Sequence, residues 1–149
     1  IDRARDQLLR GKSLSELVRR KEEKAYDALK MVYEAERDYP GRYNLVHSMG
    51  VLGDRRAIPT LLSALRYEQA LEIRCHAASA LGEFADDAEA RNMLMYIAQQ
   101  EPDAQVRRNA VIALSKRMTD DNRRFLESLS QTEKHAEVRM AIDHLLQQR

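Results

Sequence analysis

Apolar residues recur at three- and four-residue intervals in four segments of the chain, and each segment has an arginine near its start. The segments read GRYNLVHSMG, IRCHAASALG, VRRNAVIALS and VRMAIDHLLQ. Their arginines are Arg42, Arg74, Arg107 and Arg139, at steps of 32, 33 and 32 residues. Apolar residues one place before, three after and seven after the arginine share one face of an α-helix. We therefore predict that each segment is the second helix of a repeating unit.

The stretches between these segments repeat as well. Leu61, Met93 and Phe125 are 32 residues apart, and apolar residues follow each of them at helical spacing. Turn-forming sequences such as Gly53-Asp54 and Glu101-Pro102-Asp103 separate the helical stretches. No segment shows the strict alternation of a β-strand. The pattern predicts an all-α protein in which each unit is a helical hairpin.

The amino-terminal portion does not follow the repeat. Ile1–Arg10 is predicted to be a short helix that Gly11 ends. Ser13 and Glu16 have the spacing of a capping box, which predicts the start of a second helix. That helix is expected to run to about Arg37, so that its later half serves as the first helix of the first unit.

Two adjacent motifs carry a family resemblance. The sequence LGD-x-RAIP-x-LL-x-AL at Leu52–Leu65, followed by EIRCHAASALG at Glu72–Gly82, resembles HEAT repeats. It is most similar to the short HEAT-like class found in phycobilisome lyase subunits. The resemblance implies a right-handed α-solenoid of about four HEAT-like helical hairpins whose second helices line a concave surface. The expected organisation is one domain, 1–149, with an amino-terminal helical cap at 1–24 and units at about 25–53, 57–85, 88–118 and 121–148.

Composition narrows the class of protein further. The 149 residues include 25 Lys and Arg against 24 Asp and Glu, so the chain lacks the basic excess of a dedicated nucleic-acid binder. No apolar stretch approaches the roughly 20 residues of a membrane-spanning helix. The single cysteine excludes an internal disulfide framework. We expect a soluble cytoplasmic protein; because the chain starts at Ile1 without Met, a removed leader stays open.

The ladder arginines, Arg42, Arg74, Arg107 and Arg139, are the most regular polar feature. They could align against phosphates or an acidic partner. Each could instead bind loop carbonyls, or acids such as Glu72, Asp103 or Glu137, at the start of its helix. Because this position is usually structural in HEAT-like repeats, the second interpretation is favoured.

Catalytic and metal-binding chemistry finds little support. The histidines are His47, His76, His135 and His144, and none stands four residues from another. A resemblance to the HEAT-like deoxyhypusine hydroxylases would require His-Glu dipeptides, which are absent. We therefore expect no metal, no cofactor and no enzymatic activity. Cys75 has a flanking Arg and His, but adjacent helical residues point in different directions, so we interpret it as a bystander thiol.

The face of the second helices opposite the predicted core is the expected working surface. It mixes aromatic, apolar and charged side chains, as protein interfaces do. We predict a non-catalytic interaction module that binds another protein here, with homo-oligomers possible. The alternatives are a lyase or chaperone-like subunit acting on a chromophore-carrying protein, and a nucleic-acid binder using the ladder arginines. The predicted face comprises Tyr43, Asn44, His47, Cys75, His76, Ser79, Glu83, Arg108, Asn109, Ile112 and Lys116.

Overall fold

The computed structural model describes residues 25–148 of the chain, so the expected cap at 1–24 lies outside the described residues. Eight α-helices occupy this range. They are α1 (Ala25–Ala35), α2 (Tyr39–Leu52), α3 (Ile58–Tyr67), α4 (Leu71–Leu81), α5 (Ala88–Gln100), α6 (Ala104–Ser115), α7 (Asp120–Thr132) and α8 (Ala136–Gln147). Short 3-10 turns at Arg55–Ala57 and Gly82–Phe84 precede α3 and follow α4.

Consecutive helices fall into four pairs along the chain, each joined by a short loop. Within each pair, three residues separate the end of the first helix from the start of the second: 36–38, 68–70, 101–103 and 133–135. Residues 25–148 contain no β-strand. In the same range, no helix combines the length and the apolar character that crossing a membrane requires. The all-α prediction is therefore confirmed for this part of the chain.

Polar side chains mark where several helices begin. The carboxylate of Asp87 accepts a hydrogen bond from the Ala90 amide at the start of α5, and Asp103 caps α6 in the same way. The hydroxyl of Thr119 caps α7. These oxygens satisfy amides that have no partner within their own helix, which stabilises a helix start by about 1 kcal/mol. Gly53 directly follows the last residue of α2 and adopts the left-handed conformation with φ 70°, which ends that helix.

The chain divides into two compact units, Ile1–Ala77 and Ala78–Arg149, with the boundary inside α4. In the described part of the first unit, α1 packs against α2, and α2 packs against α3. Its core is apolar and almost fully buried, with Leu29, Leu45, Met49, Leu61 and Leu65 at its centre. Two of these, Leu45 and Met49, occupy core positions predicted from the arginine register.

In the second unit, α6 packs against both α5 and α8, and α8 also contacts α7. Val106, Ala110 and Leu114 lie fully buried along α6, as the arginine register predicts. Gly82 lies close to this helix, because a Cβ atom added there would come within 3.1 Å of the Ala113 Cα. The small residues at these positions therefore permit close helix packing.

The first hairpin departs from the repeat at Gly41, where the other units have Ile or Val before the ladder arginine. The structure supplies a physical reason. A Cβ atom at Gly41 would come within 2.7 Å of the Glu36 carboxyl group, which is itself buried. Glycine leaves room for this carboxylate beneath the first turn of α2.

Candidate functional site

The first ladder arginine is held by a glutamate of the following hairpin. The guanidinium of Arg42 donates from Nε and Nη2 to the Glu68 carboxylate, with an Nε–Oε1 distance of 2.9 Å. Its Nη1 donates to the backbone carbonyl of Glu36 at 3.0 Å. Burial lowers the pKa of Arg42, yet that pKa is raised overall because the hydrogen bond and charge of Glu68 and the interactions with Tyr33 together outweigh burial. Burial and a hydrogen bond to Glu68 also raise the pKa of Tyr33 above its ordinary value.

Arg107 repeats this arrangement in the second unit. Its Nε and Nη2 donate to the two carboxylate oxygens of Glu133, each at 3.0 Å, as a bidentate pair. Its Nη1 donates to the carbonyls of Glu101 and Pro102, both at 2.9 Å. Only 15% of the Arg107 side chain and 6% of the Glu133 side chain are exposed. Solvent therefore screens this pair weakly.

The acids that bind Arg42 and Arg107 are Glu68 and Glu133, and not acids of the expected kind such as Glu72, Asp103 and Glu137. Glu68 and Glu133 belong to a second ladder, the loop glutamates, one at the start of each three-residue hairpin loop. These are Glu36, Glu68, Glu101 and Glu133, at steps of 32, 33 and 32 residues. Each stands six residues before a ladder arginine. The signal was available in the sequence, because their steps match those of the arginines.

Glu36 and Glu133 also hold their own loops. The Glu36 carboxylate accepts hydrogen bonds from the amides of Arg37 and Asp38, and Glu133 accepts one from the amide of His135 at 2.9 Å. Arg139 Nη1 in turn donates to the Glu133 carbonyl at 3.4 Å. These contacts support the structural interpretation of the ladder arginines.

Three predicted face residues come together in the first unit. Tyr43 on α2 lies against His76 on α4, with ring centroids 4.2 Å apart and a 2.8 Å contact between Tyr43 Oη and His76 Nε2. The ring of His47, one turn after Tyr43, lies 6.3 Å from that of His76, centroid to centroid. We call Tyr43, His47 and His76 the aromatic cluster. Val51, one further turn along α2, is 57% exposed.

Hydrogen bonding assigns the neutral tautomer of His76. Its Nδ1 lies 3.0 Å from the backbone carbonyl of Glu72, which can only accept. In neutral His76 the proton is therefore on Nδ1, and Nε2 is an acceptor. The Tyr43 hydroxyl must then donate its proton to Nε2.

In the second unit the predicted face carries charge. Arg108 on α6 is exposed, whereas Ile112, one turn later, is only partly exposed. Lys116 Nζ lies 2.5 Å from Glu83 Oε1, so these two predicted contact residues already form an ion pair with each other. Both side chains are more than 40% exposed, a setting in which such a pair contributes about 0–1 kcal/mol.

The predicted exposure of Cys75 is wrong. The helical pattern placed it on the accessible face, but only 8% of the residue is exposed and its thiol is buried. The prediction treated each second helix as buried along one stripe. Along α4, Cys75 and Ala78 are buried as well as the predicted core residues Ile73 and Ala77, so the buried face is wider than that stripe and a short side chain does not reach solvent. Cys75 therefore cannot act as an accessible contact.

The remaining predicted residues divide by exposure. Asn44 and Ser79 are exposed, and Asn109 is partly buried. Among the described residues, no three His, Cys, Asp or Glu side chains are grouped as a metal ion would require. The side chains of the predicted face can therefore form hydrogen bonds and packing contacts, and the best-defined group among them is the aromatic cluster.

The comparisons with known proteins identify the family. The profile of HEAT repeats matches residues 58–147, more than half of the chain. The chain therefore belongs to the HEAT-repeat family, as the motifs at Leu52–Leu65 and Glu72–Gly82 indicated. No curated protein sequence matches it.

A solved structure has the same fold. It is the complex of CpcE and CpcF of phycocyanin lyase from Nostoc sp. PCC7120, with a TM-score of 0.77. The alignment covers 89% of this chain and 85% of the matched one, at 20% sequence identity. At that identity, the likeness defines the fold, a HEAT-like α-solenoid. The handedness of the solenoid and its concave surface stay predictions.

Proposed function

We propose that this protein is a non-catalytic interaction module that binds another protein through the exposed surface of its second helices. Repeat proteins of this kind present extended surfaces for binding. The aromatic cluster carries the proposal. Tyrosine is enriched at the residues that dominate interface energies, and Tyr43 is held in place by its contact with His76.

The second unit contributes side chains of complementary types. Arg108 supplies an exposed guanidinium, and Ile112 supplies partly exposed apolar area on the same helix. Arginine is likewise enriched at interface hot spots. A nucleic-acid binder is less well supported, because Arg42 and Arg107 are already engaged by Glu68 and Glu133.

The test compares two triple variants of the full chain. The first is Tyr43→Ala, Arg108→Ala and Ile112→Ala, on the second helices. The matched control is Met31→Ala, Tyr67→Ala and Tyr96→Ala, which removes residues 68%, 71% and 61% exposed on first helices. The first variant should bind the partner at least about tenfold more weakly, a loss of roughly 1.4 kcal/mol, and the control should bind normally. Melting curves establish that both are folded.

The partner must first be identified, and Cys75 is unsuitable as a crosslinking site because it is buried. Ser79 is exposed on α4 and offers a better position. A photo-crosslinking residue at Ser79 should capture the same protein as one at Asn44. If the control variant loses binding and the second-helix variant keeps it, the working surface lies on the first helices.

A second candidate function follows from the likeness to the CpcE and CpcF complex. In this proposal the chain is one subunit of a lyase-type assembly that acts on a chromophore-carrying protein. The support is the shared fold over 89% of the chain and the presence of two subunits in that complex. Absorbance of the purified protein mixed with a free bilin tests it. A red-shifted, saturable spectrum would favour this function, and unchanged bilin absorbance would count against it.

A further inference from the structure

The last ladder arginine keeps only one of the two contacts that the first and third make. Arg42 and Arg107 each donate from Nη1 to the carbonyl of the loop glutamate before their helix, and from Nε and Nη2 to a carboxylate of the next hairpin. Arg139 repeats the first contact, from Nη1 to the Glu133 carbonyl at 3.4 Å. Its Nε and Nη2 have no carboxylate partner among the described residues.

The guanidinium of Arg139 is also the most accessible of the three. The Arg42 and Arg107 side chains are 22% and 15% exposed, whereas Arg139 is an exposed residue. Asp143 stands one turn after Arg139, at the spacing of an intrahelical ion pair, but its Oδ1 accepts a hydrogen bond from Ser130 Oγ at 2.7 Å. Two parallel N–H donors bind a carboxylate in a defined, bidentate geometry. Arg139 can therefore take up a carboxylate as Arg107 does.

The charge next to Arg139 favours an acidic ligand. The carboxylate of Glu133 is already held by the guanidinium of Arg107. In the segment from Glu133 to Arg139, this leaves two exposed cations, Lys134 and Arg139, against the exposed carboxylate of Glu137. An excess of one charge attracts a ligand of the opposite charge and increases its rate of association.

The rest of the last hairpin favours a partner side chain over a further packed hairpin as the ligand. Four residues after the ladder arginine, the first three units have fully buried apolar residues: Val46, Ala78 and Val111. The last unit has the exposed Asp143 at this position. On α7, Ser130 takes the repeat position of the fully buried Ala98. A hairpin packed over these polar side chains would have to remove their water, which is unfavourable.

We propose that Arg139 recognises an acidic segment of the partner protein, with the carboxylate of a Glu or Asp held by its Nε and Nη2. The model for this contact is the pair that Arg107 makes with Glu133. Lys134 adds attraction for a segment with several acidic residues. The inference rests on the proposed function, because Arg139 lies on a second helix, and it names the chemistry of the partner.

The experiment measures binding of labelled hexaglutamate and hexalysine peptides to the full chain by fluorescence anisotropy, at low salt, where exposed charges are least screened. Hexaglutamate should bind more tightly. Arg139→Gln removes the guanidinium and should weaken hexaglutamate binding at least about fivefold, or roughly 1 kcal/mol. The matched control, Arg124→Gln, makes the same charge change at a side chain that is 76% exposed on α7 and should leave binding within about twofold.

A second measurement locates the ligand on the parent chain. In a nitrogen–proton correlation spectrum, hexaglutamate should shift the Nε–Hε resonance of Arg139, which is assigned by its loss in Arg139→Lys. The corresponding resonance of Arg107 should stay in place, because its carboxylate partner is already bound. Arg139→Lys keeps the charge without the two parallel donors, so it should also weaken hexaglutamate binding, at least about threefold.

Several results would overturn the inference. They are tighter binding of hexalysine, equal effects of Arg139→Gln and Arg124→Gln, parent-like binding by Arg139→Lys, and an unshifted Arg139 resonance. A single-stranded DNA hexamer that binds more tightly than hexaglutamate and depends on Arg139 would also overturn it, in favour of a nucleic acid. The two triple variants that test the proposed function leave Arg139 unchanged, so either idea can fail alone.

Discussion

The substitution Arg107→Ala tests the ladder most directly. Arg107 makes a bidentate pair with Glu133 and donates to the carbonyls of Glu101 and Pro102. Removing one member of a buried ion pair costs about 3–5 kcal/mol, because the other charge is left buried. The Arg107 and Glu133 side chains are 15% and 6% exposed, so we expect the lower end, about 3 kcal/mol.

A protein of this length loses roughly 2–4 °C of melting temperature for each kcal/mol, so Arg107→Ala should melt about 6–12 °C below the parent. Urea unfolding followed by circular dichroism measures the free energy of unfolding directly. Arg108→Ala is the matched control, because the next residue is exposed and such changes stay within about 0.5 kcal/mol. Equal losses for Arg107→Ala and Arg108→Ala would refute the structural role of the ladder.

The structure also predicts the pH response of Glu133, the reactivity of Cys75 and the effect of truncating Leu114. Burial alone would raise the pKa of Glu133, but hydrogen bonds from Arg107 and the His135 amide lower it below its ordinary value. The Glu133 carboxylate therefore stabilises the fold above its unfolded-state pKa, and this contribution is lost as the pH falls through its lower folded-state pKa. The substitution Glu133→Gln should therefore flatten the decline in unfolding free energy below about pH 4.5. Cys75 should react with a thiol reagent at least about tenfold more slowly in the native chain than in urea, and equal rates would contradict its burial. Leu114→Ala should reduce the unfolding free energy by about 2–5 kcal/mol in the same denaturation assay, since Leu114 is fully buried, and a loss below about 1 kcal/mol would place it outside the core.

The sequence predicted the hairpins and the buried stripes because both depend on local spacing. A helix that repeats its apolar residues at helical intervals has one face to bury, whatever it packs against. Val106, Ala110 and Leu114 illustrate this, since each predicted core position is fully buried. The same spacing could not predict the burial of Cys75, because that depends on how many neighbours cover the helix.

The loop glutamates escaped prediction for a different reason. A glutamate beside a turn, such as Glu101 before Pro102, looks like an ordinary solvent-facing residue. Two of these glutamates, however, bind an arginine of another hairpin: Glu68 binds Arg42 and Glu133 binds Arg107, each 26 residues earlier. Only the comparison of two independent ladders with the same steps would have revealed the pairing.

The ladders also explain where the repeat varies in length. All four hairpin loops have three residues, and an arginine always stands six residues after the loop glutamate. The connections between hairpins differ, spanning residues 53–57, 82–87 and 116–119. Because the arginine must reach the glutamate carbonyl across the hairpin loop, an added residue there would break the contact that Arg42 and Arg107 make. The extra residue of the 33-residue step falls between Arg74 and Glu101, a stretch that contains the longest of these connections. Length variation thus falls outside the hairpin loops that the arginine-to-carbonyl contact spans.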